Sequence, residues 1–262
     1  MTLWEGLLLG IVQGVTEFLP ISSSGHLVVT EELFGLASPG VVVEVMLHVA
    51  TLMAVIFVYR GKLWILVTGV LTRDKAVWRY VLLLVIGTIP AGLVGILFSD
   101  WIEELFGSLI MVGLDFLITG GVLWSTGRIP RGTKAREPSS LAAGVIGLSQ
   151  AAAILPGISR SGSTIASAMW LGIEPVDAAE YSFLLSIPVV LGAAMLQLPN
   201  LPADVASVGS VSLAAGFLAS LVSGIMAIRF LVKLLRRGRF HRFAPYCFGI
   251  GTATILWALF GR

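Results

Sequence analysis

Charge and cysteine are both scarce in this chain of 262 residues. Charged side chains make up 12% of it and hydrophobic ones 56%, and Cys247 is the one cysteine. A single cysteine excludes an intrachain disulfide and a metal cluster held by cysteines. Because soluble domains are about 25% charged, the composition predicts an integral membrane protein. The net charge of +2 is too small to indicate a nucleic-acid partner.

Six long apolar runs predict membrane-spanning helices, because each approaches the ~20 residues that cross the hydrocarbon core of a bilayer. The runs lie at about 41–59, 80–98, 107–125, 178–198, 208–228 and 244–261.

Two further apolar stretches are each interrupted by a short polar segment. Residues 3–18 and 25–36 flank "LPISSSG", and residues 141–155 and 162–172 flank "PGISRSG". At about 1.5 Å per residue, the longest arm reaches roughly 24 Å, which is less than the ~30 Å core. We therefore predict two re-entrant helical hairpins, whose tips are buried in protein or face water within the membrane.

The hairpins belong to an internal repeat with an offset of 137 residues. The offset carries Gln13 onto Gln150, Ile21-Ser22 onto Ile158-Ser159, and the spans that start at 41 and 107 onto those that start at 178 and 244. We predict one all-α membrane domain over residues 1–262. Repeat one covers about 1–127 and repeat two about 138–262, each a hairpin plus three crossings. Three is an odd number, so the second repeat is inverted relative to the first.

Charge in the connecting segments predicts the orientation through the positive-inside rule. Loops at 60–79, 128–136 and 229–242 are rich in Arg and Lys, whereas loops at 99–106 and 199–207 carry acidic residues. The basic loops are then cytoplasmic and the acidic ones external. Hairpin one enters from outside and hairpin two from inside, and inverted repeats of broken helices place their site near the midplane where the halves meet.

If the two tips meet, they combine an acid, an imidazole, a guanidinium and a collar of hydroxyls. The residues concerned are Gln13, Glu17, Ser22, Ser23, Ser24 and His26 from hairpin one, and Ser159, Arg160, Ser161, Ser163 and Thr164 from hairpin two.

Arg160 is the residue that points most directly to a substrate, because it lies just before a helix expected to start at about 162. A guanidinium binds phosphate oxygens in a bidentate manner, and helix N-termini favour anions. "PGISRSGST" therefore predicts a phosphate cradle. The alternative is an ion pair between Arg160 and Glu17 that holds the halves together, and the two interpretations are compatible.

Roles for the other groups stay open at the level of sequence. His26 is a candidate nucleophile or general acid, or a packed, hydrogen-bonded side chain. Glu17 is a candidate to bind a divalent cation, activate water or orient His26, since acids within membranes are usually functional. Ser23 is a possible nucleophile, but serines also cap helices. Glu44 and His48, four residues apart, could form a buried hydrogen-bonded pair, which we interpret as structural or as a support for the residues of the site.

Two stretches, "QGVTEFLPISSSGH" and "LPGISRSGSTI", resemble the signatures of the undecaprenyl-diphosphate phosphatase family of the bacitracin-resistance type. On this resemblance we predict catalytic roles for Glu17, Ser23, His26 and Arg160. Contacts with substrate are predicted for Gln13, Ser22, Ser24, Ser159, Ser161 and Thr164.

The resemblance implies removal of the terminal phosphate from a C55 polyprenyl diphosphate at the outer face of the bacterial cytoplasmic membrane. It also implies a divalent cation, Mg²⁺ or Ca²⁺, and a homodimer. Gln13 stands where many members of the family carry an acid, and Ser24 where a threonine is common. With one carboxylate rather than two, we expect Glu17 and the phosphates of the substrate to hold the cation.

Two other classes of protein fit parts of the pattern. A transporter or flippase of polyprenyl phosphate would share the inverted repeats and the Arg160 cradle. A structural membrane scaffold would need Glu17 and Arg160 for folding alone.

Overall fold

In a computed structural model, residues 1–35, 40–130, 135–197 and 209–261 are described, and they are almost entirely helical. The twelve α-helices of these residues are α1 (Leu3–Phe18), α2 (Ser23–Phe34), α3 (Gly40–Val58), α4 (Arg60–Leu71), α5 (Lys75–Leu97), α6 (Ser99–Phe106), α7 (Leu109–Thr126), α8 (Ser140–Ala152), α9 (Arg160–Trp170), α10 (Pro175–Gln197), α11 (Ser210–Arg236) and α12 (Ala244–Phe260). A 3₁₀ turn, Phe240–Phe243, precedes α12.

Five helical segments of the described chain are long and apolar enough to cross a membrane: α5, α7, α10, α11, and α12 together with its 3₁₀ turn. The bent pair α3 and α4, with 78° between its two parts, supplies a sixth candidate. The prediction of an all-α, multi-pass membrane protein is confirmed.

The prediction of a basic loop over residues 60–79 is wrong, because most of this segment is helical. It forms α4 up to Leu71, and α5 already begins at Lys75 with Asp74 as its N-cap. Arg60 and Lys62 at the start of "RGKLWILVTGVL", with Arg73 and Lys75 just beyond its end, make the whole segment look like a basic loop although the middle of α4 is apolar. Asp74 accepts bonds from the amides of Ala76 and Val77, which fixes the start of α5 before the apolar run.

Two other predicted loops are also helical. Residues 99–106 form α6, and α11 continues to Arg236, eight residues beyond the predicted end of that span. Leu231 and Leu235 explain the extension, because they are buried one helical turn apart and keep this part of α11 packed on the core. Arg131, Lys134 and Asp204, on which the predicted orientation partly depends, lie outside the described residues, and the orientation stays a prediction.

Both predicted hairpins are present as pairs of short helices. The first is α1 and α2, and the second is α8 and α9. The helix after each break begins two residues earlier than expected, at Ser23 and at Arg160, and α8 ends at Ala152 rather than at 155. The difference matters because Arg160 becomes the first residue of α9 instead of a residue in the preceding loop.

The helices recur along the chain with the predicted offset. The helices that start at Leu3 and Ser23 correspond to those that start at Ser140 and Arg160. The starts of α10, α11 and α12 lie within two residues of the positions that the offset predicts from α3, α5 and α7. The packing follows the repeat as well. The first helix of each hairpin packs against a helix of the other repeat, α1 against α11 and α8 against α5. The inversion of repeat two and the repeat bounds 1–127 and 138–262 remain predictions.

A buried apolar cluster supports the ends of the hairpin arms. Phe18, the last residue of α1, meets Phe183 of α10 edge to face, with ring centroids 5.4 Å apart. Ile165 of α9 is fully buried in the same cluster. Because α1, α9 and α10 share this core, the polar residues beside the two breaks are held at fixed positions relative to each other.

Candidate active site at the meeting of the two hairpin tips

In both hairpins a serine side chain caps the second helix. Ser22 is the N-cap of α2 and accepts a hydrogen bond from the amide of Gly25. Ser159 caps α9 in the same way through the amide of Gly162, at 3.0 Å. Such caps satisfy amides that would otherwise lack a partner at a helix start. Ser23 and Arg160 therefore occupy equivalent positions, the first residues of α2 and α9.

The two tips touch each other. The Ser161 hydroxyl donates to the carbonyl oxygen of Leu19 at 3.2 Å, from one hairpin to the other. A Cβ atom on Gly25 would lie 3.0 Å from the Cα atom of Gly157 and 2.7 Å from the Phe116 ring. Only glycine permits this approach, so the glycine that follows the serines of the first motif has a steric reason.

Glu17 is the centre of the site, and it is 9% exposed. Its Oε1 accepts from Arg160 Nη2 at 2.6 Å, and its Oε2 accepts from the Ser23 hydroxyl at 2.5 Å. Gln13 Nε2 also donates to Oε2, at 3.2 Å. The prediction that an acid of one hairpin meets a guanidinium of the other agrees with these distances.

The Arg160 guanidinium also contacts α10. Its Nη1 donates to the carbonyl oxygen of Ser182 at 3.4 Å, and the hydroxyls of Thr164 and Ser182 lie 2.6 Å apart. Thr164 also donates to the carbonyl oxygen of Arg160. These bonds fix the direction of the guanidinium, and they engage the Thr164 hydroxyl within the protein.

His26 belongs to a neighbouring group of residues. Its Nδ1 lies 2.7 Å from the Ser22 carbonyl oxygen and its Nε2 lies 2.7 Å from the Tyr246 hydroxyl. The ring also meets Phe116 edge to face and lies nearly parallel to the Tyr246 ring, beside it. Both ring nitrogens therefore bond to groups other than Glu17 and Arg160. The sequence does not indicate these partners.

Two side chains near the site are not among the predicted catalytic or substrate-binding residues. Tyr246 comes from the last helix, with no motif around it. His48 Nε2 lies 3.8 Å from Glu17 Oε2, while its Nδ1 bonds the Glu44 carbonyl oxygen at 2.8 Å. The spacing of Glu44 and His48 was a usable signal, but a pair four residues apart on a helix is more often structural.

The remaining predicted substrate-binding residues surround the centre with different exposures. Ser22, Ser159 and Ser161 are buried and bonded within the tips, whereas Ser24 is half-buried with its hydroxyl 3.3 Å from that of Ser22. Gln13 is fully buried, and its Oε1 has no hydrogen-bond partner among the described residues. An oxygen in this state is suited to receive a ligand.

Ser22 also carries backbone strain. Its φ of 68° lies in the left-handed region, which residues other than glycine rarely adopt. Strain of this kind persists where the surrounding contacts hold it in place, and it is common at functional sites. In this site the strained residue, Ser22, directly precedes Ser23.

A divalent cation fits the site only together with a bound substrate. Over the described residues, no three His, Cys, Asp or Glu side chains come together as metal ligands. The free Gln13 Oε1 and the Glu17 carboxylate are oxygen donors, the type that Mg²⁺ and Ca²⁺ prefer. Water and phosphate oxygens would have to complete the coordination.

Glu17 thus bonds to a hydroxyl and to a guanidinium inside a multi-pass helical protein. This combination of groups is suited to an anionic ligand. The guanidinium suits phosphate, and the carboxylate suits proton removal from the hydroxyl.

Comparison with known proteins identifies the family of this membrane protein. Residues 6–253 match the family described as bacitracin resistance protein BacA, and the chain belongs to that family. A protein of Carboxydothermus hydrogenoformans named undecaprenyl-diphosphatase is 38% identical, with all of both chains covered. A protein of Desulfosudis oleivorans with the same name is 40% identical over 97% of each chain. The resemblance found in the two motifs is confirmed over nearly the whole sequence.

Proposed function

We propose that this protein hydrolyses undecaprenyl diphosphate to undecaprenyl phosphate and inorganic phosphate at the outer face of the bacterial cytoplasmic membrane, and so recycles the lipid carrier. Membership of the BacA family and the names of the relatives support the reaction. The observation that carries the proposal is the contact of Glu17 with both Arg160 and Ser23 across the meeting hairpins.

Arg160 binds the diphosphate in this proposal. Its guanidinium is already held by Ser182 and faces the break in the first hairpin, so little reorganisation is needed when phosphate oxygens replace part of its contact with Glu17. Stabilisation of charge on the transferring group supplies most of the catalysis in phosphoryl transfer. The prenyl chain stays in lipid.

Glu17 takes the proton when an oxygen attacks the terminal phosphorus. The Ser23 hydroxyl already donates to Glu17, so its oxygen, or a water in its place, is the nucleophile. The bond between the terminal phosphorus and the bridging oxygen breaks, and its electrons stay on the departing undecaprenyl phosphate. If Ser23 attacks, water then hydrolyses the phosphoserine and restores the hydroxyl. His26 is disfavoured as the nucleophile because both of its ring nitrogens are engaged.

The proposal includes a cation, Mg²⁺ or Ca²⁺, which Glu17 and Gln13 Oε1 would hold together with the substrate. When bound, it would neutralise part of the charge on the diphosphate. A homodimer, which the resemblance implies, is also part of the proposal, and light scattering of the purified protein in detergent measures it.

Phosphate release by the purified protein tests this function. We expect release from undecaprenyl diphosphate that EDTA abolishes and Mg²⁺ or Ca²⁺ restores, and that Arg160→Ala reduces below detection. Arg160→Lys keeps the charge without the planar fork, so it should retain partial activity. Movement of labelled lipid across vesicles without phosphate release would instead support the flippase alternative. Neither activity in a protein that retains its helical content would contradict both.

A further inference from the structure

Tyr246 connects the last helix of the molecule to the first hairpin. It is the third residue of α12, and its hydroxyl lies 2.7 Å from His26 Nε2. The two rings are nearly parallel, with 5° between their planes and centroids 5.7 Å apart. Phe116 meets the His26 ring edge to face, so the imidazole packs on one ring and is bonded at both nitrogens.

The bonds of His26 determine where its proton lies. The Ser22 carbonyl oxygen is only an acceptor, so Nδ1 must carry a hydrogen to bond it at 2.7 Å. In the neutral ring Nε2 then has a lone pair, and the Tyr246 hydroxyl is the donor to it. A donor at this position stabilises the tautomer with the proton on Nδ1 over the other tautomer.

The Ser22 carbonyl is linked through one peptide unit to Ser23, whose hydroxyl is the proposed nucleophile. Ser22 holds the strained φ of 68°, and the ring and backbone amide of His26 both donate to its carbonyl oxygen. The peptide plane that contains this carbonyl also contains the amide of Ser23. Its orientation therefore sets the direction in which the Ser23 side chain leaves the tip, toward Glu17.

We propose that Tyr246 is a positioning residue of the site. It holds His26 in the tautomer with the proton on Nδ1, and His26 in turn holds the Ser22 carbonyl so that the Ser23 hydroxyl stays on Glu17. This inference rests on the proposed function for its kinetic consequence, but the tautomer itself is measurable without any activity.

Tyr246→Phe is the test variant, because it keeps the ring beside His26 and removes only the donor. Tyr80→Phe is the matched control, since Tyr80 packs on Tyr181 and Lys62 in another part of the protein. The chain has three histidines, so ¹⁵N-histidine spectra of the detergent-solubilised protein are simple. Loss of one set of signals in His26→Asn assigns His26.

We expect wild type and Tyr80→Phe to show His26 protonated at Nδ1 alone, and Tyr246→Phe to show a mixture of tautomers. For phosphate release, kcat of Tyr246→Phe should fall roughly fivefold to tenfold with KM changed less than twofold, as expected for the loss of one hydrogen bond. His26→Asn, which keeps a donor near Nδ1, should retain more activity than His26→Gln.

The outcomes separate the two proposals. No phosphate release by the wild type contradicts the proposed function, while the spectra still decide the tautomer. An active wild type with the same His26 signals in Tyr246→Phe and Tyr80→Phe overturns the role of Tyr246. A changed tautomer without a fall in kcat overturns it as well, because the coupling to Ser23 would then be absent.

Discussion

At the scale of single residues, several polar groups from different helices converge on the Glu17 carboxylate. Arg160, Ser23 and Gln13 all donate to it, and His48 lies 3.8 Å away. Buried ion pairs contribute little net stability, because the loss of hydration offsets much of their attraction. A pair of this kind between two hairpin tips is therefore better explained by function than by folding.

Ser23→Ala tests the reacting hydroxyl. If Ser23 is the nucleophile, we expect kcat for phosphate release to fall by about 10²–10⁴-fold, and no phosphoserine peptide to appear by mass spectrometry after an acid quench. Ser125→Ala is the control, because that hydroxyl donates to the Val122 carbonyl oxygen of its own helix, α7. A Ser23→Ala enzyme with the kcat of the wild type would show that water attacks directly.

At the scale of elements, close helix packing brings the two halves together. Gly147 of α8 lies against Gly87 of α5, where a Cβ atom on Gly147 would be 2.6 Å from the Gly87 carbonyl oxygen. Small residues at such crossings let helix backbones approach within a membrane. Since α8 leads directly to the second tip, this contact also sets the position of Arg160.

Gly147→Ala should destabilise the protein by about 1–3 kcal/mol, because the new methyl group meets backbone that cannot move away. Gly144→Ala is a matched control on the same helix, where a Cβ atom would meet nothing within 4 Å. Since alanine favours helix over glycine, that control should be neutral or stabilising by up to about 1 kcal/mol. Thermal unfolding in detergent measures both, and equal melting temperatures would contradict the packing of α5 on α8.

At the scale of the whole molecule, the orientation in the membrane decides from which side substrate arrives. The basic residues near the start of α5 predict a cytoplasmic location for that end, and the acidic α6 predicts an external one. Hairpin one would then open its site to the outside.

Cysteine labelling checks this orientation in a Cys247→Ala background. Thr72 and Glu104 are both exposed. We expect Glu104→Cys to react with a membrane-impermeant maleimide in intact cells, and Thr72→Cys to react only after the cells are made permeable. The reverse pattern would place the site on the cytoplasmic side, and the external location of the reaction would be wrong.

The sequence by itself determined the membrane class, the two hairpins and the contact of Glu17 with Arg160. Composition, helix length and a repeated motif are local or periodic properties, and they are visible without coordinates. Charge was less reliable, because the cations at the start of α4 and just beyond its end led to the prediction of a loop where the apolar middle forms a helix.

Only the tertiary structure decided which side chains complete the site. Tyr246 reaches His26 across 220 positions of sequence, and His48 approaches Glu17 from a helix with no motif. Such contacts depend on the directions in which separate helices pack, and no pattern along a single chain records those directions. For the same physical reason, the two partners of the His26 ring nitrogens are visible in the tertiary structure and not from the place of His26 in the motif.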